Sequence, residues 1–179
     1  MRIETLPGRR YKLDIPCRGN GDQFGRAATA RDEAMNTVLD EVTSENMDAR
    51  HVRRRVEDWE KRLNGLFGLI GEWLPDGWEA RRGAPLVMHE KLMREFGVDA
   101  KPIPTLELLG HAGEVVRFKP HALWIVGNNG RVDVSRNGHR HVIVDMAENF
   151  AEPDWQVASA DRRCDRETVT GDWLRQLLR

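Results

Sequence analysis

The strongest constraint in this sequence is an apolar stripe that repeats at helical spacing through a long segment. Its members alternate steps of four and three residues, as one face of an amphipathic α-helix does: Val52, Val56, Trp59, Leu63, Leu66, Ile70 and Trp73. Pro75 and Gly77 then end the pattern. We predict a long helix over residues 52–74. Because its stripe is too extensive to leave in water, we expect it to pack in the core or against a partner.

Three glycines lie inside the same segment, at Gly65, Gly68 and Gly71. Each costs about 1 kcal/mol relative to alanine in a helix interior. We expect close helix packing at these positions to compensate for that cost.

The rest of the first half is predicted to be an arm followed by helices. Residues 1–25 are rich in proline and glycine and read as an extended N-terminal arm. Residues 26–45 carry alanines and valines at helical spacing, and residues 85–96 form a shorter helical pattern that Gly97 ends. We therefore expect a helical part over residues 26–101.

Strand signals dominate residues 102–179. Short apolar runs alternate with turn residues over residues 105–109, 114–118, 122–126, 131–135 and 141–145, before a helical pattern that ends the chain. Thr170 is a suitable cap for that C-terminal helix. The expected fold class is α+β: N-terminal helices, including the long amphipathic one, packed on an antiparallel meander of about four strands, with a C-terminal helix. We expect these parts to form one compact domain.

Charge and cysteine usage exclude several classes of protein. The chain has 28 basic and 29 acidic side chains, so a nucleic acid would have to bind at a local patch. Cys17 and Cys164 lie far apart without metal-ligand spacing, which suits a reducing cytoplasm. The sequence shows neither a signal peptide nor a membrane span. We expect a cytoplasmic protein without membrane contact.

Two aspartates, Asp133 and Asp145, lie among the valines of residues 122–148. Carboxylates seldom lose water in a half-buried strand unless they are paired, hydrogen-bonded or bound to a metal. This segment is therefore the best candidate for a functional site.

The register of the hairpin decides whether the two aspartates can cooperate. A two-residue turn at Asn137-Gly138 would place Asp133 opposite Val142 and direct it away from Asp145. A three-residue loop with a bulge would place four valines on one face and Asp133 with Asp145 on the other. We favour the second register because it buries the valines together.

The run GRVDV, a turn, then HVIVD resembles the core of PD-(D/E)XK nucleases. In that family two strand carboxylates hold a divalent metal that activates water for phosphodiester cleavage. The resemblance would make Asp133 and Asp145 ligands of Mg²⁺ or Mn²⁺, oxygen-preferring cations. The sequence departs from the family where a lysine is expected, because Ala147 stands there.

Other residues would have to complete such a site. Lys119 or Arg131 would supply the positive charge, and Glu90 or Glu107 a third carboxylate. His141 is a further candidate metal ligand beside Asp145, since His139 and His141 form a His-x-His pattern. Solvated histidines near a hairpin tip are the more common arrangement.

Arginines and two tryptophans are the candidates for partner contacts. Arg53 and Arg54 lie in a basic run that could reach phosphates, although the acidic residues that follow favour local ion pairs. Trp78 and Trp155 adjoin turn residues and are candidate anchors for a partner. The remaining tryptophans fit core positions.

Two functional classes follow from the sequence. We favour a small accessory protein that acts through protein–protein contacts or as a homo-oligomer, with nucleic acid in the same complex as a further candidate partner. No cofactor is expected in that case. The alternative is a nuclease-like enzyme with Mg²⁺ or Mn²⁺. Converging carboxylates of Asp133 and Asp145 would favour the enzyme, and side chains on opposite faces would oppose it.

Overall fold

The long helix is present as α1, Ala49–Glu72. The structure is a computed structural model that describes residues 47–160 and 165–179. Asp48 caps α1 by accepting a hydrogen bond from the His51 backbone N–H at 2.6 Å. Six of the seven predicted stripe residues are buried and the seventh, Trp73, follows the helix as its C-cap. The prediction of a long amphipathic helix is confirmed.

An antiparallel sheet of seven strands forms the other half of the core. The remaining elements follow α1 along the chain: β1 (Trp78–Arg82), β2 (Leu86–Met88), α2 (Lys91–Glu95), β3 (Lys101–Ile103), β4 (Leu106–Gly110), β5 (Val115–Ala122), β6 (Arg131–Arg136), β7 (His139–Asp145), β8 (Trp155–Ser159), β9 (Glu167–Thr168) and α3 (Gly171–Leu177). The strands of the large sheet lie in the order β1-β4-β5-β6-β7-β8-β9, and β2 pairs with β3 separately.

One face of the large sheet forms a core with the apolar stripe of α1. Burial alternates along β5 and β6, as it does when only one face of a strand is covered. The core face carries Leu106, Phe118 and Val134, which lie opposite one another across β4, β5 and β6. The other face, called the open face below, carries mainly polar and charged side chains on β4, β5 and β6.

The expected meander of about four strands is wrong. The sheet has seven strands, and β1, β2 and the first residue of β3 lie within the part that was expected to be helical. The helix expected over residues 85–96 is confined to α2, because residues 86–88 pair with β3 instead. Residues 123–126 are not a strand: β5 ends at Ala122, and Glu90 accepts hydrogen bonds from the next two backbone N–H groups.

The favoured register of the last hairpin is also wrong. Asn137 and Gly138 both adopt positive φ, 46° and 83°, in a two-residue turn that places Asp133 opposite Val142. The core face therefore receives Val132 opposite Ile143, while Val142 belongs to the open face. The preference of Asn137 and Gly138 for positive φ therefore determines the register, and it outweighs the advantage of burying four valines on one face.

The expected close packing at the α1 glycines is not found among the described residues. A Cβ added at Gly65, Gly68 or Gly71 would meet no heavy atom within 4 Å. These glycines leave part of the helix surface bare.

Several expectations lie outside the described residues, namely the arm over residues 1–25, the helix over residues 26–45 and both cysteines.

In the described part of the chain, no helix combines the length and apolar character that crossing a membrane requires. The C-terminal helix is confirmed as α3, and Thr170 caps it by accepting a hydrogen bond from the Trp173 N–H at 3.2 Å.

Candidate functional site

Asp133 and Asp145 lie on opposite faces of the sheet. The Asp133 side chain is on the open face and 42% exposed, whereas the Asp145 side chain is on the core face and 0% exposed. The sheet therefore separates the two carboxylates, and they do not share one metal. The geometry on which the nuclease resemblance depends is absent from this hairpin.

Asp133 is surrounded by basic groups on the open face. Arg131 Nε donates a hydrogen bond to Asp133 Oδ1 at 2.6 Å, and His121 Nδ1 lies 3.4 Å from Asp133 Oδ2. Lys119 faces Asp133 across the strand pair. The structure thus brings three of the four proposed catalytic residues together but excludes Asp145. Exposed pairs of this kind contribute little to stability.

The proposed third carboxylates have other partners. Glu107 accepts hydrogen bonds from Arg81 at 2.9 Å and Arg117 at 3.1 Å, and these bonds lower the pKa of Glu107. Glu90 accepts the Leu123 backbone N–H at 2.7 Å. Within residues 47–160 and 165–179, no cluster of three or more His, Cys, Asp or Glu side chains has metal-binding geometry.

Asp145 is the acceptor at the centre of a buried network. Its Oδ2 accepts a hydrogen bond from Arg62 Nη1 at 2.6 Å. Its Oδ1 accepts the backbone N–H groups of Ala147 at 3.0 Å and Asp154 at 2.9 Å. These contacts satisfy a carboxylate that has lost all contact with water. They also fix both ends of the segment 146–154, called the β7–β8 loop below.

Arg62 connects this network to α1 and to the middle of the loop. Its Nε donates to Asp58 Oδ2 at 2.6 Å, and its Nη2 donates to the Ala151 carbonyl at 2.5 Å. Burial alone would lower the pKa of Arg62, but the hydrogen bonds to Asp58 and Asp145 raise it overall. Arg62 therefore remains charged and anchors the loop against the helix.

Phe150 forms a second attachment between the loop and α1. Its backbone adopts a φ of 64°, which is uncommon for a residue with a side chain. The Arg54 guanidinium lies 4.7 Å from the centre of the Phe150 ring, and the His51 ring meets it edge-on at 5.6 Å. These contacts offset the unfavourable backbone conformation.

The attached loop and α1 enclose a groove of about 470 Å³, called the α1 groove below. Its apolar lining includes Leu66, Leu69, Phe150, Pro153 and Trp155, and Gly65 leaves the helix surface bare at its floor. Leu69 is 41% exposed and Phe150 38% exposed. Asp58, Lys61 and Glu152 supply charges to its lining.

The four candidate partner residues differ in their positions. Trp155 is buried beside Trp59, with ring centres 6.0 Å apart, and lines the α1 groove. Arg54 contacts Phe150, and Arg53 is exposed on α1. Trp78 is half-buried on the edge strand β1, with its ring 5.7 Å from the Arg136 guanidinium.

His141 does not join either aspartate in a common site, because it lies on the opposite face of the sheet from Asp133 and well along β7 from Asp145. It shares the core face of β7 with Asp145, but four residues of extended strand separate them by about 13 Å. Its ring meets Trp173 of α3 edge-on at 6.2 Å. Burial lowers the pKa of His141, the charge of His139 lowers it further, and Glu167 opposes the shift.

The depressed pKa of His141 predicts weaker stability in acid. The folded state disfavours the protonated imidazole, so the unfolded chain takes up this proton at higher pH. The stability that comes from keeping the His141 imidazole neutral is fully present above the ordinary histidine pKa of about 6.5, and it decreases as pH falls below that value. Urea denaturation at about pH 7.5 and about pH 5.5 measures the free energy of unfolding at each pH. Its decrease between the two pH values should be smaller in His141→Gln than in the parent chain. His89→Gln, at an exposed position on another part of the chain, is the control, and equal losses in the two variants would contradict the expectation.

Sequence reasoning missed Arg62, Phe150 and the α1 groove. A usable signal was present for Arg62, because Arg55 and Arg62 lie seven residues apart and both fall beside the apolar stripe. Charged residues at buried helix positions call for buried partners. The groove had no local signal, since loop and helix are distant in sequence.

In comparisons with models of protein families, with curated proteins and with solved structures, the chain matches none.

Proposed function

We propose that this chain is a partner-binding protein that docks a helical segment of another protein in the α1 groove. The observation that carries the proposal is an apolar groove whose two walls are held in place by a buried ion-pair network. Preformed walls reduce the ordering cost of binding. Apolar pockets with fixed aromatic walls are typical of interface hot spots.

The shape of the groove favours a helix as the bound segment. Gly65 leaves the surface of α1 bare at the groove, so another backbone can approach closely there. The exposed Leu69 and Phe150 side chains would cover the apolar face of such a helix. An amphipathic helix lying in an apolar groove is a recurrent mode of peptide recognition.

The groove lining itself is balanced in charge, with Asp58 and Glu152 against Lys61 and Arg62, but the helix surface beside it favours an acidic partner. Arg50, Arg53, Arg54 and Lys61 are exposed along the first part of α1, whereas Glu57 is the exposed acidic residue among them. Opposite charge steers association and fixes orientation. We therefore expect a partner helix with acidic residues beside its apolar face.

The proposal is tested with synthetic amphipathic helical peptides that share one leucine face and carry either glutamate or lysine on the polar face. Binding is measured by fluorescence anisotropy, and the acidic peptide should bind at least about tenfold more tightly than the basic one, a difference of about 1.4 kcal/mol. Gly65→Leu fills the groove with a helix-favouring residue and should weaken acidic-peptide binding by about tenfold or more.

Gly68→Leu is the matched control, because Gly68 lies on the same helix but does not line the groove. It should leave peptide affinity unchanged, and both variants should be at least as stable as the parent chain. Peptide binding that is insensitive to Gly65→Leu would contradict the proposal. Self-association by light scattering that Gly65→Leu abolishes would identify a second copy of this chain as the occupant instead.

A further inference from the structure

A second cavity lies between the β6–β7 hairpin, β9 and α3. Its volume is about 470 Å³, within the range of pockets that hold small organic molecules. Trp173 and Leu177 of α3 supply its apolar lining, and its other lining side chains are polar or charged. The cavity shares no lining residue with the α1 groove.

Arg136, at the end of β6, is a half-buried lining residue without a counter-charge. Its guanidinium makes no ion pair within residues 47–160 and 165–179. The nearby Trp78 ring, 5.7 Å from the guanidinium, carries no net charge. Charged groups that lose water are normally paired with an opposite charge. Arg136 therefore lacks one negative charge.

One nitrogen of this guanidinium remains available to a molecule in the cavity. Nη1 donates a hydrogen bond to the carbonyl of Leu177, which is itself a lining residue, so the guanidinium lies at the cavity wall. Nε is buried and has no partner. Nη2 also has no partner among the described residues, but unlike Nε it is not buried. An acceptor in the cavity would therefore bond to Nη2.

Further hydrogen-bond donors lie around the guanidinium. His139 is directly opposite Arg136 in the β6–β7 pairing, and His141 follows on the same face. Asn137 and Gln176 add amide groups to the lining. None of these four side chains has a hydrogen-bond partner among the described residues. Amides and neutral imidazoles offer N–H donors to an oxygen ligand.

The remaining charges of the lining limit the charge of the ligand. Glu167 on β9 is its one acidic side chain, and it forms no ion pair with Arg136. Arg179 also lines the cavity, beyond α3. Both Glu167 and Arg179 are exposed, and their charges offset each other. The lining therefore suits a ligand with a single negative charge.

We propose that this cavity binds a small organic carboxylate, with the carboxylate bonded to Arg136 Nη2 and the apolar part of the ligand against Trp173 and Leu177. A hydrogen bond between a guanidinium and a carboxylate is charge-assisted and about twice as strong as a neutral one. The imidazole and amide groups of the lining supply donors for the other carboxylate oxygen. An apolar wall with a few directed polar groups is the usual arrangement of small-molecule sites.

Three probes of similar shape test the proposal: benzoate with one negative charge, neutral benzamide, and phenyl phosphate with mainly two negative charges. Binding to the full chain is measured by ¹H–¹⁵N NMR at about pH 7.5, where both histidines are mainly neutral. The Trp173 indole N–H resonance is assigned by its loss in Trp173→Phe. Benzoate should shift this resonance saturably and bind about tenfold or more tightly than benzamide. No response to benzoate, or equal affinities for benzoate and benzamide, would overturn the proposal.

Phenyl phosphate should bind less tightly than benzoate, because Glu167 opposes its second negative charge. Tighter binding of phenyl phosphate would overturn the assignment of a singly charged ligand.

Two substitutions with opposite expected effects test the roles of the charged residues. Arg136→Gln should reduce benzoate affinity to that of benzamide, and Arg136→Lys should restore part of it. Glu167→Gln, at an exposed position, should raise benzoate affinity about two- to threefold by removing a repulsive charge. Glu95→Gln makes the same change of charge outside the cavity and should bind benzoate like the parent chain. Unchanged or weaker benzoate binding in Glu167→Gln would contradict the proposal even if Arg136→Gln does not fold.

Discussion

Replacing Asp145 with alanine is expected to lower the free energy of unfolding by about 3 to 5 kcal/mol. The substitution removes the acceptor of three hydrogen bonds and leaves the buried Arg62 with Asp58 as its carboxylate partner. Asp58 then has to balance two buried guanidinium groups, because Arg55 lies 3.7 Å and Arg62 2.6 Å from its carboxylate. A buried positive charge without full compensation costs more than the lost hydrogen bonds alone. The loss is a large fraction of the roughly 5 to 15 kcal/mol by which domains are stable. Urea denaturation followed by circular dichroism measures it.

Asp133→Ala is the matched control for this experiment. Asp133 belongs to the same hairpin but makes exposed ion pairs with Arg131 and His121. Its removal should change the unfolding free energy by no more than about 1 kcal/mol. Similar losses in the two variants would mean that the buried network contributes nothing beyond an ordinary surface pair.

The Asp145→Ala variant should also loosen the β7–β8 loop. Asp145 holds the backbone N–H groups at both ends of that loop, and Arg62 reaches its centre at Ala151. Hydrogen exchange of the Ala147 and Asp154 amides is therefore expected to accelerate relative to the sheet amides. The acidic peptide proposed for the α1 groove should bind this variant less tightly, since one wall of the groove is no longer fixed.

The elements that sequence analysis identifies correctly are those with strong local periodicity. The α1 stripe satisfies one helical face over its whole length, and no alternative structure buries the same residues together. Thr170 marks the start of α3 for an equally local reason, because its hydroxyl accepts an N–H from the first turn.

The missed strands lack that local signal. β1 carries the sequence WEARR, which has no apolar alternation, and it is a strand because its backbone pairs with β4 at the sheet edge. β9 is only two residues long and likewise depends on its neighbour β8. Pairing between distant segments determines both elements, so a single window of sequence does not reveal them.

The hairpin register illustrates how a tertiary contact overrides a pattern. Valine segregation favours a bulged loop, but the observed two-residue turn places Asp145 on the core face. That position is acceptable because Arg62, some eighty residues earlier in the chain, neutralises the buried carboxylate. An interpretation that treats the two aspartates as a pair overlooks Arg62, whose ion pair accounts for the burial of Asp145.

Replacing Leu63 with alanine is expected to lower the free energy of unfolding by about 2 to 5 kcal/mol. Leu63 is 0% exposed at the centre of the α1 stripe and belongs to the core that α1 forms with the sheet. The loss combines the transfer free energy of the removed methine and methyl groups with the cost of the cavity that remains. Chemical denaturation, checked by a shift in Tm, provides the measurement.

Leu69→Ala is the matched control on the same helix, because Leu69 faces the α1 groove rather than the core. Its replacement should change the unfolding free energy by no more than about 0.5 kcal/mol. The same variant should weaken binding of the acidic peptide, since Leu69 supplies apolar surface to the groove. We therefore expect Leu63→Ala to have the larger effect on stability and Leu69→Ala the larger effect on peptide binding. This pattern is typical of a helix with one face in the core and another in an interface. A large stability loss in Leu69→Ala with unchanged peptide affinity would assign that face to the core and contradict the proposed docking surface.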